Sequence, residues 1–155
     1  MGQYDVEKRD YAYSNSLPAL EAILKENPSI EVVIDLHRDG LDGEKLVTQI
    51  DGKQVAKIMF FNGLSRTTAM GDIDYLYNPY IADNLAISFQ MQLKAAEYYP
   101  GFTRRIYLKG DRYNMHYCPK TLLIEVGAQT NTVSEAMNAM VPLADLLNKV
   151  LTAQR

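Results

Sequence analysis

Two short, strongly apolar runs constrain this chain more than any other feature: residues 31–36, Glu-Val-Val-Ile-Asp-Leu, and residues 121–127, Thr-Leu-Leu-Ile-Glu-Val-Gly. Both are too short for a core helix. The first is rich in β-branched residues and lies between Pro28 and Asp39-Gly40, the pattern of a buried central strand. Helix-periodic segments alternate with these runs, so the pattern predicts an α/β sandwich of three layers, a mixed sheet with helices on both faces.

The rest of the chain fills in that frame. Residues 1–13 lack clean periodicity and read as an irregular arm. Ser14 or Ser16 then caps a helix with Pro18 in its first turn and Leu17, Leu20, Ile23 and Leu24 at helical spacing, ending at Asn27-Pro28. Asp51-Gly52 between residues 46–50 and 53–61 predicts a hairpin. Residues 64–78 have no period and the size of a functional loop. Asn78-Pro79 opens a long helix whose predicted face is Ile81, Leu85, Phe89, Leu93 and Ala96, and residues 103–108 read as another strand. Thr132 and Glu135 form a capping box for a last helix bearing Ala136, Met140, Leu143, Leu147 and Val150, with Pro142 as a kink or a later start.

Composition narrows the class. At 155 residues, 47% hydrophobic and 23% charged, residues 1–155 suit one domain with its own core. Sixteen Lys and Arg against 19 Asp and Glu leave a charge of -3, which gives no bulk attraction to nucleic acid. The single cysteine, Cys118, excludes an internal disulfide and a cysteine-rich zinc site. No run approaches the roughly 20 apolar residues that cross a bilayer, and the polar start does not resemble a signal peptide. Work outside the cytoplasm would need a targeting element upstream.

Ligands in α/β sheets gather beyond the carboxyl ends of strands, where His37 and Glu125 both fall. A neutral imidazole can bind zinc, and a carboxylate in a partly apolar cleft can take a proton from metal-bound water, so the pair points to metal-assisted hydrolysis. Each also has an ordinary reading: a strand-end histidine in a structural hydrogen bond, and a glutamate paired with a neighbouring arginine such as Arg38.

The wider segments are more specific. Asp35-Leu36-His37-Arg38-Asp39-Gly40, the Asn84-Leu85-Ala86 helix, Tyr113-Asn114 and the 123–135 segment with Glu125, Asn131 and Glu135 resemble, in order, the motifs of the zinc-dependent N-acetylmuramoyl-L-alanine amidases. Within these, the chain is most similar to the stage II sporulation protein P group, over about residues 14–150. The resemblance implies an amidase-like fold and hydrolysis of peptidoglycan by zinc-activated water during spore engulfment, at the amide between N-acetylmuramic acid and L-alanine and at stem-peptide crosslinks. It implies that His37 is a zinc ligand and Glu125 the general base that later protonates the departing amine. It also implies peptidoglycan and engulfment proteins as partners, an extracytoplasmic location through an upstream membrane anchor, and, for Asn84, which matches a family asparagine, a role in orienting substrate or in tying its helix to the sheet. By residue type, Arg38 and Asp39 are candidates to bind the stem peptide or to form an ion pair at the cleft edge, and Arg66 in the loop is a further substrate-binding candidate.

One part of the family pattern is missing. Its first zinc-binding segment precedes everything seen here, yet this chain has two histidines and neither lies before His37. The reading is therefore an N-terminally truncated catalytic domain that lacks its first strand and is inactive alone. His116 is the only histidine left to replace a ligand, and a Cys118–His116 thiol pair is a remote alternative. A non-catalytic module that binds peptidoglycan or a partner protein is the alternative function.

Overall fold

The computed structural model describes residues 11–43 and 45–152. In chain order the elements are helix α1 (Ala12–Glu26), strands β1 (Val33–Asp39), β2 (Val47–Ile50), β3 (Lys53–Ala56), β4 (Ile58–Gly63), β5 (Arg66–Thr67) and β6 (Gly71–Asp72), helix α2 (Ile81–Tyr98), strands β7 (Tyr107–Lys109) and β8 (Thr121–Ala128), and helix α3 (Val133–Thr152). Four strands form the main sheet in the order β1-β8-β4-β7, so β1 lies at an edge of the sheet among the described residues with Ile34 and Leu36 exposed, and β8, not β1, is the buried central strand. β1 runs parallel to β8, β4 antiparallel to β8, and β7 parallel to β4, so the sheet is mixed as the sequence predicts.

Because side chains alternate along a strand, the sheet has two distinct faces. Leu122, Ile124 and Val126 of β8, with Ile58 and Phe60 of β4, point into the core. They pack against Ile87, Met91 and Ala95 of α2 and Ala139, Leu143 and Leu146 of α3. The opposite face carries His37, Leu123, Glu125, Met59 and Phe61, and over its β1 end lies the first turn of α1.

Several local expectations shift. The helix predicted from Ser14 or Ser16 begins at Ala12, so Tyr13 belongs to α1 and not to an arm, and Pro18 sits well inside it; residues 1–10 of that predicted arm lie outside the described residues. α1 buries no residue. The second arm of the Asp51-Gly52 hairpin breaks at Lys57, its first half pairing with β2 and its second half entering the main sheet as β4. The predicted loop holds the small β5–β6 hairpin, and of the predicted 103–108 strand only Tyr107 and Leu108 fall in β7.

α2 turns a different face inward from the one its apolar residues suggest. Asn84, Ile87, Ser88, Met91 and Ala95 are buried, while Phe89 and Leu93 are 56% and 53% exposed. Polar side chains win those inward positions because each finds partners: Ser88 bonds Asn62 of β4, and Asn84 bonds backbone groups on two sides. α3 runs through Pro142 without a break. Its capping box forms as predicted, with Glu135 Oε2 accepting from the Thr132 amide at 2.8 Å and Thr132 Oγ1 from the Glu135 amide at 3.2 Å.

Candidate functional site

His37 and Glu125 are register partners on adjacent parallel strands. Equal register puts their side chains on one face, and Met59 of β4 continues the same row beyond Glu125. Both line an open cavity of about 820 Å³ on the face away from α2 and α3. Asp39, Arg104, Tyr107, Lys109, Arg112 and Tyr113 complete much of its polar wall.

Glu125 is half-buried, and burial is the main influence raising its carboxyl above the usual range; His37 and Arg104 oppose that rise, and Asp39 and Asp35 reinforce it. Its Oε2 is buried with no hydrogen-bond partner among the described residues. A carboxylate in that position holds an unused acceptor beside an imidazole, as proton transfer to or from a bound molecule requires. The Gly127-Ala128 turn behind it is tightly built. Gly127 has φ +66°, and a Cβ there would lie 2.5 Å from Asn131 Oδ1, the atom that accepts from the Ala128 amide.

His37 Nε2 lies 2.8 Å from Asp35 Oδ1, two residues earlier on the same face. A catalytic zinc ion takes three protein ligands. Among the described residues no three His, Cys, Asp or Glu side chains converge on a point that could hold a metal ion. The described residues therefore do not fit zinc by themselves.

The other sequence candidates are placed as follows. Arg38 donates through Nη2 to the carbonyls of Ala128, Gln129 and Asn131, which ties β1 to the β8–α3 turn. Asp39 lines the cavity and forms an ion pair of 2.6 Å with Arg104. Arg66 sits on the β5–β6 hairpin, 3.5 Å from Asp72 and outside the cavity wall. Asn84 is 2% exposed, its Nδ2 donating to the Met115 carbonyl at 2.7 Å and its Oδ1 accepting from the Thr121 amide at 2.9 Å. These two bonds tie α2 to the sheet, the structural one of the two roles its sequence position suggests.

His116 is also outside the cavity wall. Its ring packs on Tyr117, and burial, aided by Arg112, pushes its imidazole down to about 4. Cys118 is buried with Sγ 3.1 Å from the Glu31 carbonyl, so it is not presented as a nucleophile.

Sequence reasoning missed Tyr13, Arg104, Tyr107 and Tyr113 as site residues. Tyr107 and Tyr113 flank Phe61, at centroid distances of 5.1 and 4.9 Å, and Tyr13 meets Tyr113 edge-on at 5.2 Å. Of these, Tyr113 lay within a quoted motif, Tyr113-Asn114, without being read as a site residue.

The comparisons agree with the ordered motifs. The family model described as Stage II sporulation protein P (SpoIIP) matches residues 2–148. The chain is similar to Stage II sporulation protein P of Bacillus subtilis (strain 168), 24% identical over 144 residues, which are 90% of this chain and 33% of that protein. The chain thus spans about a third of the length of this curated relative. No solved structure matches. With the family model covering nearly the whole chain and the His37 and Glu125 segments brought to one cavity, the chain belongs to the stage II sporulation protein P family.

Proposed function

We propose that the cavity is the water-activating part of a peptidoglycan hydrolase acting outside the cytoplasmic membrane in spore engulfment. Its substrate is the amide between N-acetylmuramic acid and L-alanine, and stem-peptide crosslinks are a second target. The observation that supports this most is the half-buried Glu125 carboxyl beside His37 on the wall of an open cavity, with its Oε2 buried and without a hydrogen-bond partner among the described residues.

In this reading Glu125 takes the proton of the attacking water and delivers it to the nitrogen of the departing amine. Burial suits it to both tasks, because a raised carboxyl holds a proton long enough to give it back. Lys109 and Arg112 on the cavity wall match the carboxylates of a stem peptide, and the Phe61, Tyr107 and Tyr113 rings offer apolar faces to a sugar. His37 is one ligand of a zinc ion in this proposal, and the remaining ligands come from outside the described residues.

The test is release of stem peptides from purified sacculi with zinc present, by the full-length protein and by its Glu125→Gln variant. The proposal expects at least about a 100-fold loss in the variant. Equal release would remove Glu125 from the mechanism. Sedimentation with sacculi and no release by either protein would favour the non-catalytic binding module.

A further inference from the structure

Strand register carries the cavity wall away from Glu125 in steps of fixed size. Glu125 of β8 pairs with Met59 of β4, and two residues further along β4 Phe61 pairs with Leu123 on one side and with Tyr107 of β7 on the other. Two more residues bring Gly63 and its partner Lys109, at the end of β7. Alternate residues of a strand share a face, so Glu125, Phe61, Tyr107 and Lys109 all open onto the cavity. From Glu125 to Lys109 the path covers four residues along the strands and two strand spacings across them. At about 3.3 Å per residue and about 4.8 Å per strand, their Cα atoms stand about 16 Å apart.

The far end of that path is a cation that no described residue neutralises. Four Lys and Arg side chains line the cavity. Arg104 is paired with Asp39 at 2.6 Å, Arg38 donates to the carbonyls at the β8–α3 turn, and Arg112 donates through Nη1 to the Tyr77 carbonyl at 3.2 Å. Lys109 is exposed and has neither an ion pair nor a hydrogen bond among the described residues. Asp111, two residues on, accepts from the Tyr113 hydroxyl at 3.2 Å instead. The row between the two ends, Leu123, Phe61 and Tyr107, carries no charge. In a chain of net charge -3, an ammonium left over at the end of an apolar stretch of cavity selects an anion.

We propose that Lys109 determines specificity by receiving the free terminal carboxylate of a stem peptide whose first amide lies at Glu125. An extended chain spans about 3.3–3.6 Å per residue, so a gap of about 16 Å takes about four to five residues, the length of a peptidoglycan stem. The match is one of length as well as of sign. A shorter stem stops before the ammonium, and a stem whose terminal carboxyl is tied up in a crosslink brings an uncharged amide to it. Stems with a free terminus are therefore the preferred substrates for cleavage at the first amide. This deepens the functional reading above and rests on it in one respect, the position of the scissile amide at Glu125.

The experiment is calorimetric binding of the released stem tetrapeptide to the full-length protein and its Lys109→Gln variant, with the peptide's C-terminus as carboxylate or as carboxamide. The wild type is expected to bind the carboxylate form at least about 5-fold more tightly than the carboxamide. Lys109→Gln is expected to bind both forms with the affinity that the wild type has for the carboxamide, which also shows that the variant is folded. A stem dipeptide, whose carboxylate stops short of Lys109, is expected to bind the two proteins alike. A wild type that binds neither tetrapeptide or does not distinguish them, or a preference that survives in Lys109→Gln, would overturn the proposal. The ligand is already the product of cleavage, so the specificity claim and the hydrolase reading fail separately: loss of peptide release in Glu125→Gln together with no carboxylate preference removes the role of Lys109 alone.

Discussion

His37 and Glu125 face each other across two adjacent parallel strands at the same register level, and both open onto one cavity. The sheet alone enforces this, since strand pairing fixes which side chains share a row. A slip of one residue would turn Glu125 into the core among Phe60, Leu122 and Ile124, where its charge would have no partner.

Glu125 sits in a place that favours its neutral form. Its carboxyl is raised in the fold above the usual 4.5, so its contribution to stability is present below about pH 4.5 and is lost as pH rises through the higher folded value. Glu125→Gln, neutral at every pH, should therefore melt at a higher temperature than the wild type at neutral pH and at nearly the same temperature below about pH 4. Thermal melts of both proteins across that range check it; a variant that is less stable at neutral pH contradicts it.

Glu135 behaves in the opposite sense. The Thr132 amide, the Lys45 ammonium at 3.0 Å and the Asn131 amide hold its carboxyl down to about 2. Its stabilising effect is complete above about pH 4.5 and is lost as pH falls toward about 2. Glu135→Ala should lower the melting temperature at neutral pH, and the gap from wild type should close in acid. A gap that stays constant with pH would mean the cap does not depend on the charge.

Asn84→Ala would leave the Met115 carbonyl and the Thr121 amide buried and unpaired. The expected cost is about 3 kcal/mol, seen as a lower urea midpoint with an unchanged slope. A loss below about 0.5 kcal/mol would show that these groups find other partners.

The parts of this architecture legible in the sequence are those where local pattern and burial coincide. The β8 run is apolar because it lies in the sheet interior, the Asp51-Gly52 turn follows from its residue types, and the Thr132–Glu135 box closes within one helical turn. His37 and Glu125 stood out because polar groups interrupt or end such runs. The cavity wall was not legible, since Arg104 and Tyr107 lie in a segment that reads only as a strand with nothing to say which sheet face it meets, and Tyr13 in a helix with no buried residue. α2 misled for a related reason. Its buried Asn84 and Ser88 are set by distant backbone and Asn62, which a helical wheel does not contain.

The most direct test of a shared site is a double-mutant cycle on stem-peptide release from purified sacculi, using His37→Ala, Glu125→Gln and the double variant of the full-length protein. If the two side chains act on one reacting centre, each single change costs at least about 100-fold and the double variant is no slower than the slower single one. Losses that multiply would place His37 and Glu125 in separate roles and contradict the account.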